Sequence, residues 1–187
     1  MKYPTTIEKA SDYLWKYTDD TGRIDTMAGR MLSLVERYGA IDEYGRENTT
    51  ILIDEGFAFS AASVLHPPQP ARPVTEDDLR AYISAVPVPD VIIFTRASPA
   101  CCVTRIRERS SGPPPSWDPL DPSDYLELAT EAEAVAETIA ELFEAEGSRV
   151  VEVRTEDQSV GQSVSVVERA LTESFRGAGI VRPSSSI

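Results

Sequence analysis

The stretch Thr49-Thr50-Ile51-Leu52-Ile53-Asp54-Glu55-Gly56-Phe57 constrains the fold more than any other. Its run of β-branched and apolar residues is too short for a helix and reads as a strand buried on both faces, as in a parallel sheet. The run ends in Asp54 and Glu55, placed where such a strand leaves the core, and Gly56 lets the backbone turn there. A carboxylate pair at that position either presents an acid to a metal ion or is a solvated turn after a core strand.

The elements around it alternate. Thr5 or Thr6 caps a first helix with Ile7, Ala10, Leu14 and Tyr17 on one face. Asp25 caps a second, with Met27, Met31, Leu34, Val35 and Tyr38 at helical spacing and Gly39 just past its end. Phe57 to Leu65 forms a short helix, stopped by His66-Pro67-Pro68. Thr75-Glu76-Asp77-Asp78 has the pattern of a capping box with Asp in place of Glu, opening a helix that buries Leu79, Tyr82 and Ile83. A second strand, Val91 to Thr95, is followed by Ser98-Pro99, a cap and first-turn proline for a helix from Ala100 to Arg109. Five prolines and Trp117 make Ser110 to Pro122 a loop or lid. The longest helix starts at Ser123 or Asp124 and stops at Gly147, a third strand runs from Arg149 to Arg154, and a last helix, from about Ser159 to Phe175, buries Val160, Val164, Val167 and Leu171. Strands alternating with helices predict an α/β fold with a parallel sheet flanked by helices in three layers.

Charge and composition exclude several classes. At 187 residues the chain fits one domain. A net charge of −13, with Lys2, Lys9 and Lys16 the only lysines, argues against a nucleic-acid binder, because phosphate contacts need clustered cations. The excess of Asp and Glu over Lys resembles that of salt-adapted proteins. No apolar run of membrane-spanning length and no secretory leader is present in these residues, so a cytoplasmic protein is expected. Cys101 and Cys102 are adjacent and lack the spaced partners of a zinc site, and His66 is the one histidine. Both cysteines read as core filler and His66 as a loop residue.

Within this acidic chain Arg105, Arg107 and Arg109 fall in five residues. Arg105 and Arg109, four apart, share a helix face, from which guanidinium groups can clamp phosphates. The alternative is pairing with Glu108 and acidic neighbours on a solvated helix.

From Thr49 to about Phe175 the order of parts resembles the latter two-thirds of a P-loop nucleoside or nucleotide kinase of the thymidylate kinase, deoxynucleoside kinase and adenylate kinase group. The resemblance rests on the strand ending Asp54-Glu55-Gly56 and the strand Pro89-Asp90-Val91-Ile92-Ile93-Phe94. It rests also on the helix ending Thr104-Arg105-Ile106-Arg107-Glu108-Arg109, which in the family leads into a mobile lid. It implies that Asp54 holds Mg2+, that Glu55 orients or deprotonates the attacking hydroxyl, and that Arg105 and Arg109 neutralise the transferring phosphoryl group. Arg107, and Arg154 with Thr155 after the last strand, would lie about the nucleotide. ATP and Mg2+ are the implied cofactors, and a nucleoside, nucleotide or other small acceptor the implied substrate.

The chain departs from the family in two ways. Glu55-Gly56 stands where an Arg often follows the acid, which leaves acceptor recognition open. Walker A, G-x-x-x-x-G-K-[ST], is absent: Gly22 and Gly29 are wrongly spaced, and no lysine follows Lys16. The expectation is a single P-loop kinase-like domain over residues 1–176 without its first strand and phosphate loop, truncated, split or degenerate, with a loose tail at 177–187. Alone it should bind ATP weakly or not at all. Losing the central strand should expose apolar sheet edges, which favours self-association or pairing with a complementing N-terminal fragment. A non-catalytic interaction or regulatory module of α/β fold is the alternative function, with another P-loop transferase, such as a sulfotransferase-like protein, a third.

Overall fold

A computed structural model describes residues 4–45, 50–65, 73–113 and 120–177 of the chain. His66, the centre of the proline loop with Trp117, and the tail from 178 onward lie outside the described residues. The fold is α/β, with seven helices and one parallel two-stranded sheet among the described residues.

Helices α1 (Pro4–Tyr17), α2 (Thr21–Tyr44), α3 (Phe57–Leu65) and α4 (Glu76–Ile83) come first. The spacing expected for α1 is the spacing that buries Ala10, Leu14 and Tyr17. The second helix differs from expectation at both ends. Asp20, not Asp25, is its cap, accepting the Arg23 N–H at 3.1 Å. The helix also runs through Gly39, because the packing of Ile24, Met31, Leu34 and Val35 outweighs the roughly 1 kcal/mol that a glycine costs inside a helix. It stops at Gly45, where a Cβ would stand 2.3 Å from the Ile41 carbonyl oxygen, so only glycine fits. In α4, Thr75 caps as expected by accepting the Asp78 N–H. The Asp78 carboxylate reaches back to the Thr75 hydroxyl, at 2.6 Å, rather than to the N–H that would close the box, and it also accepts from Lys16 and Tyr17 of α1, which locks the two helices together.

β1 (Val91–Arg96) leads through α5 (Pro99–Glu108) and α6 (Tyr125–Ala145) to β2 (Arg149–Arg154), and α7 (Val160–Gly177) follows. Val91 pairs with Arg149 and Arg96 with Arg154, in parallel. Alternation along β1 turns Ile92 toward the main core, where it meets Ile139, Leu142 and Phe143 of α6, and turns Ile93 and Thr95 toward α7. Gly147, at φ +103, ends the turn after α6 in a conformation that side chains disfavour.

Two expectations fail here. Thr50 to Ile53 is not a strand: it makes no ladder with β1 or β2, and Leu52 is 88% exposed. The run is apolar enough for a strand, but β structure needs a neighbouring edge, and among the described residues none pairs with it. Nor does α7 bury its apolar side; Val160 is 81% exposed and Val164 also faces solvent, because α7 packs over β2 and leaves β1 partly uncovered.

Candidate functional site

The richest polar arrangement lies at the carboxyl ends of the two parallel strands, where open α/β sheets hold ligands. Arg96 closes β1, and its carbonyl oxygen accepts from both the N–H and the hydroxyl of Thr155, at 2.8 and 3.0 Å. Thr155 in turn receives Arg105 from α5: one guanidinium nitrogen donates to Oγ1 at 2.9 Å and the other to the carbonyl oxygen at 2.8 Å. A fork-shaped cation thus grips the turn after β2 in the way only arginine permits.

The start of α5 is tied to the same turn. Ser98 caps the helix, and its N–H and hydroxyl donate to Glu156 at 2.9 and 2.6 Å. The Ser98 hydroxyl, and then its N–H, hold the Glu156 carboxyl below the usual carboxylate range. An anionic side chain of the chain itself therefore occupies the approach to this helix N-terminus, where the dipole favours negative charge.

On the other face, Arg96 reaches Glu133 at 2.8 Å, Glu137, and Glu152 at 3.3 Å, with its guanidinium 5.7 Å from the Phe94 ring centre. Hydrogen bonding to Glu133 leads the effects that raise the Arg96 pKa further above its already high value. Arg154 donates to Glu152 at 2.8 Å, which lowers the Glu152 pKa and raises its own. Arg96→Ala would take this shared partner from Glu133 and Glu137 and leave Glu152 with Arg154. We expect a loss of about 1 kcal/mol in urea unfolding at low salt, shrinking in roughly 1 M salt, where the Debye length falls to about 3 Å.

Of the residues singled out from sequence, the structure brings together Arg105 and Thr155, with Arg154 beside them. Arg107 turns away and donates to the Pro122 carbonyl at 3.2 Å. α5 ends at Glu108, one residue sooner than expected, and Arg109 is its extended, exposed cap. Asp54 and Glu55 sit in a turn before α3, on the side of α2. Glu55 adopts φ +54, a left-handed conformation that costs a non-glycine residue about 1 kcal/mol, and accepts from Arg30 at 2.5 Å, while Arg30 stands over Phe59. Among the described residues no hydrogen bond or ion pair joins Asp54 or Glu55 to Arg105, Arg107 or Arg109.

Carboxylate oxygen is the right donor for Mg2+, which takes one or two carboxylates together with substrate phosphates. In this chain Asp54 offers one such group, Glu55 is already paired with Arg30, and no phosphate-wrapping loop stands near. The donor set alone does not fit a metal-nucleotide complex. Cys102 contacts the Ala97 carbonyl at 3.6 Å, and burial pushes its thiol pKa up, away from the reactive range.

Sequence reasoning found Ser98 as a helix cap but not its bonds to Glu156, and it missed Glu156 itself and, as the third, Arg96. Glu133 and Glu137, four apart on a helix opposite a strand that ends in Arg96, carried a signal for the third; an acid in a short loop carries none for Glu156. Among the described residues no helix is long and apolar enough to cross a membrane. No family model matches the sequence, and no curated protein or solved structure is significantly similar to it.

Proposed function

We propose that the chain is a P-loop kinase-like α/β unit that takes part in phosphoryl transfer to a nucleoside, nucleotide or other small acceptor, and that it needs a phosphate loop the 187 residues do not contain. One observation carries the reading: Arg105 and Thr155 meet at the carboxyl ends of parallel strands joined by a helical crossover. An arginine held there by hydrogen bonds to a neutral threonine spends its donors on no carboxylate, although Glu156 on the same turn feels its charge. It is thus available to a phosphoryl group arriving over the strand ends. In the complete site the sheet is the core of a three-layer P-loop fold, the unit works in the cytoplasm, and ATP with Mg2+ is the donor. Asp54 would be the one carboxylate this chain offers Mg2+, the other ligands coming from phosphates and the missing loop, and Glu55 would have to leave Arg30 to meet the acceptor hydroxyl.

The test has two parts. The isolated chain shows no ATP turnover above a blank. Mixed with a segment bearing an apolar strand and G-x-x-x-x-G-K-[ST], it gains turnover, and Asp54→Ala or Arg105→Ala lowers that turnover at least about tenfold, a modest figure for removing one charge from this chemistry. Turnover by the isolated chain that Asp54→Ala abolishes would refute the proposal, because the chain would then work without that loop.

A second reading, a non-catalytic α/β interaction module, is favoured by the Glu55–Arg30 pair, which occupies a would-be catalytic carboxylate with a structural partner. On that reading the completed mixture assembles and transfers nothing.

A further inference from the structure

The sheet face under α7 is covered unevenly. The helix packs over β2, and beside its first two turns lies a cavity of about 350 Å3, walled by Thr95, Val153 and Thr155 on the sheet side and by Val160, Val164 and Val167 of α7. These walls are β-branched side chains, stiff about their first torsion, so the hollow does not close by side-chain rotation. Its volume falls in the range of small-molecule sites. Val160 and Val164 are 81% and 49% exposed, which leaves the mouth open where α7 starts, just after the turn that follows β2.

The lining is almost all hydrocarbon. It offers water few of the polar partners that an ordered water needs, and a nucleobase would bury several ring nitrogens and oxygens there without partners. A hydrocarbon body loses nothing in such a place and gains by leaving water. Thr155, one of the walls, also holds a cation. Arg105 donates to its Oγ1 and to its carbonyl oxygen, which leaves other N–H groups of the guanidinium fork spare. Glu156, the acid on the same turn, is bonded to Ser98, and among the described residues no carboxylate bonds Arg105.

We infer that this cavity and Arg105 together bind one small amphiphilic anion, with a hydrocarbon body against the valines and a phosphate-like head on the spare N–H groups of Arg105. Thr155 makes the two halves neighbours, so a single molecule spans them. A body alone would leave the cation unused, and inorganic phosphate alone would leave the cavity empty. The inference deepens the phosphoryl-transfer proposal by naming its acceptor, a small alcohol with an apolar body rather than a nucleoside, and rests on that proposal for the transfer step alone. In that step the hydroxyl oxygen bonds the γ-phosphorus of ATP as the bond from that phosphorus to ADP breaks, and the hydroxyl proton is released. The phosphate ester so formed is the amphiphilic anion that the valines and Arg105 hold.

The probe is 1-naphthyl phosphate, titrated into the full chain while Ile and Val methyl signals are followed by NMR, with 1-naphthol and inorganic phosphate as its two halves. Naphthyl phosphate should move the methyls of Ile93, Val153, Val164 and Val167, which line the cavity, and bind about tenfold or more tightly than naphthol, the scale of a charge-assisted contact. Inorganic phosphate should leave those methyls still. Arg105→Ala should reduce naphthyl phosphate to the affinity of naphthol while naphthol itself binds as before, which shows an intact cavity. Val164→Glu, at a half-exposed position, should abolish binding of both. No methyl movement, equal affinity for the two naphthyl compounds, a preference for the phosphate that survives Arg105→Ala, or binding that survives Val164→Glu overturns the inference. So does movement of the same methyls with rising protein concentration alone, which would give the cavity to a second copy. Binding as expected, with no turnover from the completed mixture, leaves the inference standing and sinks the kinase reading. Turnover on a nucleoside that leaves the cavity methyls unmoved does the reverse.

Discussion

Phe143→Ala is expected to lower the unfolding free energy by about 3–5 kcal/mol, the usual cost of emptying a fully buried phenylalanine site. Phe143 is 0% exposed and belongs to one cluster with Phe57 and Ala61 of α3, Leu79 and Ile83 of α4, and Ile139 and Leu142 of its own helix. Partly buried Ile92 of β1 packs on that cluster, so the side chain joins the N-terminal helices to the sheet. The neighbours are held by their own helices and cannot collapse fully into the hole, which places the cost at the cavity-dominated end of the range. Typical domains have about 5–15 kcal/mol in total, and one kcal/mol moves the midpoint of a domain this size by roughly 2–4 °C. Thermal unfolding followed by circular dichroism should therefore show Tm lowered by about 6–20 °C. Leu126→Ala, at an exposed position of α6, is the control and should move it little. A Phe143→Ala midpoint within about 2 °C of the unaltered chain would mean that α6 is not the element the two halves share.

The same cluster explains which parts of the fold were legible in the sequence. Helical periodicity is local, so the buried stripes of α1 and α6 could be read directly, and the Thr75 and Ser98 caps were visible as residue types. The two strands with their parallel relation followed from short apolar runs separated by helical spans. What failed was the step from composition to partner. Thr50 to Ile53 has the residues of a strand, yet among the described residues no strand pairs with it, and Val160 and Val164 have the spacing of a buried face that the described residues leave exposed. Periodicity states that a surface is apolar; only tertiary contacts state what covers it. The site divides likewise. Arg105 and Thr155 are fifty residues apart and are joined by the crossover the sequence implied. Arg109 became the extended cap of a helix one residue shorter than expected, and Glu55 paired with Arg30 of α2 once its strand did not form.

Acid should unlock the contact between α1 and α4 before it touches the hydrophobic core. The Asp78 side chain is 13% exposed and accepts from Thr75 at 2.6 Å, from Lys16 and from Tyr17. Burial alone would raise its pKa; the hydrogen bonds from Lys16, Thr75 and Tyr17 together outweigh burial and hold it at about 2, against an ordinary 3.8. A depressed carboxyl pKa contributes stability that is complete above the unfolded value and is lost as pH falls through the folded one. The contribution, about 2 kcal/mol from a shift of this size, should thus be complete above roughly pH 5, mostly lost by about pH 2 and gone near pH 1. Protonation of the many other acids also changes net charge in that range, so the informative quantity is the difference between the unaltered chain and Asp78→Asn. Urea unfolding should show a gap of about 2 kcal/mol at pH 6 that shrinks as pH falls through 4 and is mostly closed at pH 2, where the folded Asp78 is half-protonated. Lys16, whose pKa is raised foremost by its hydrogen bond to Asp78, contributes with the opposite sign, and its share is lost only as alkali titrates it above its raised value. A gap that stays constant from pH 6 to pH 2 would show that the Asp78 charge does not hold α1 to α4, and that packing of Tyr17 and Tyr82 alone does.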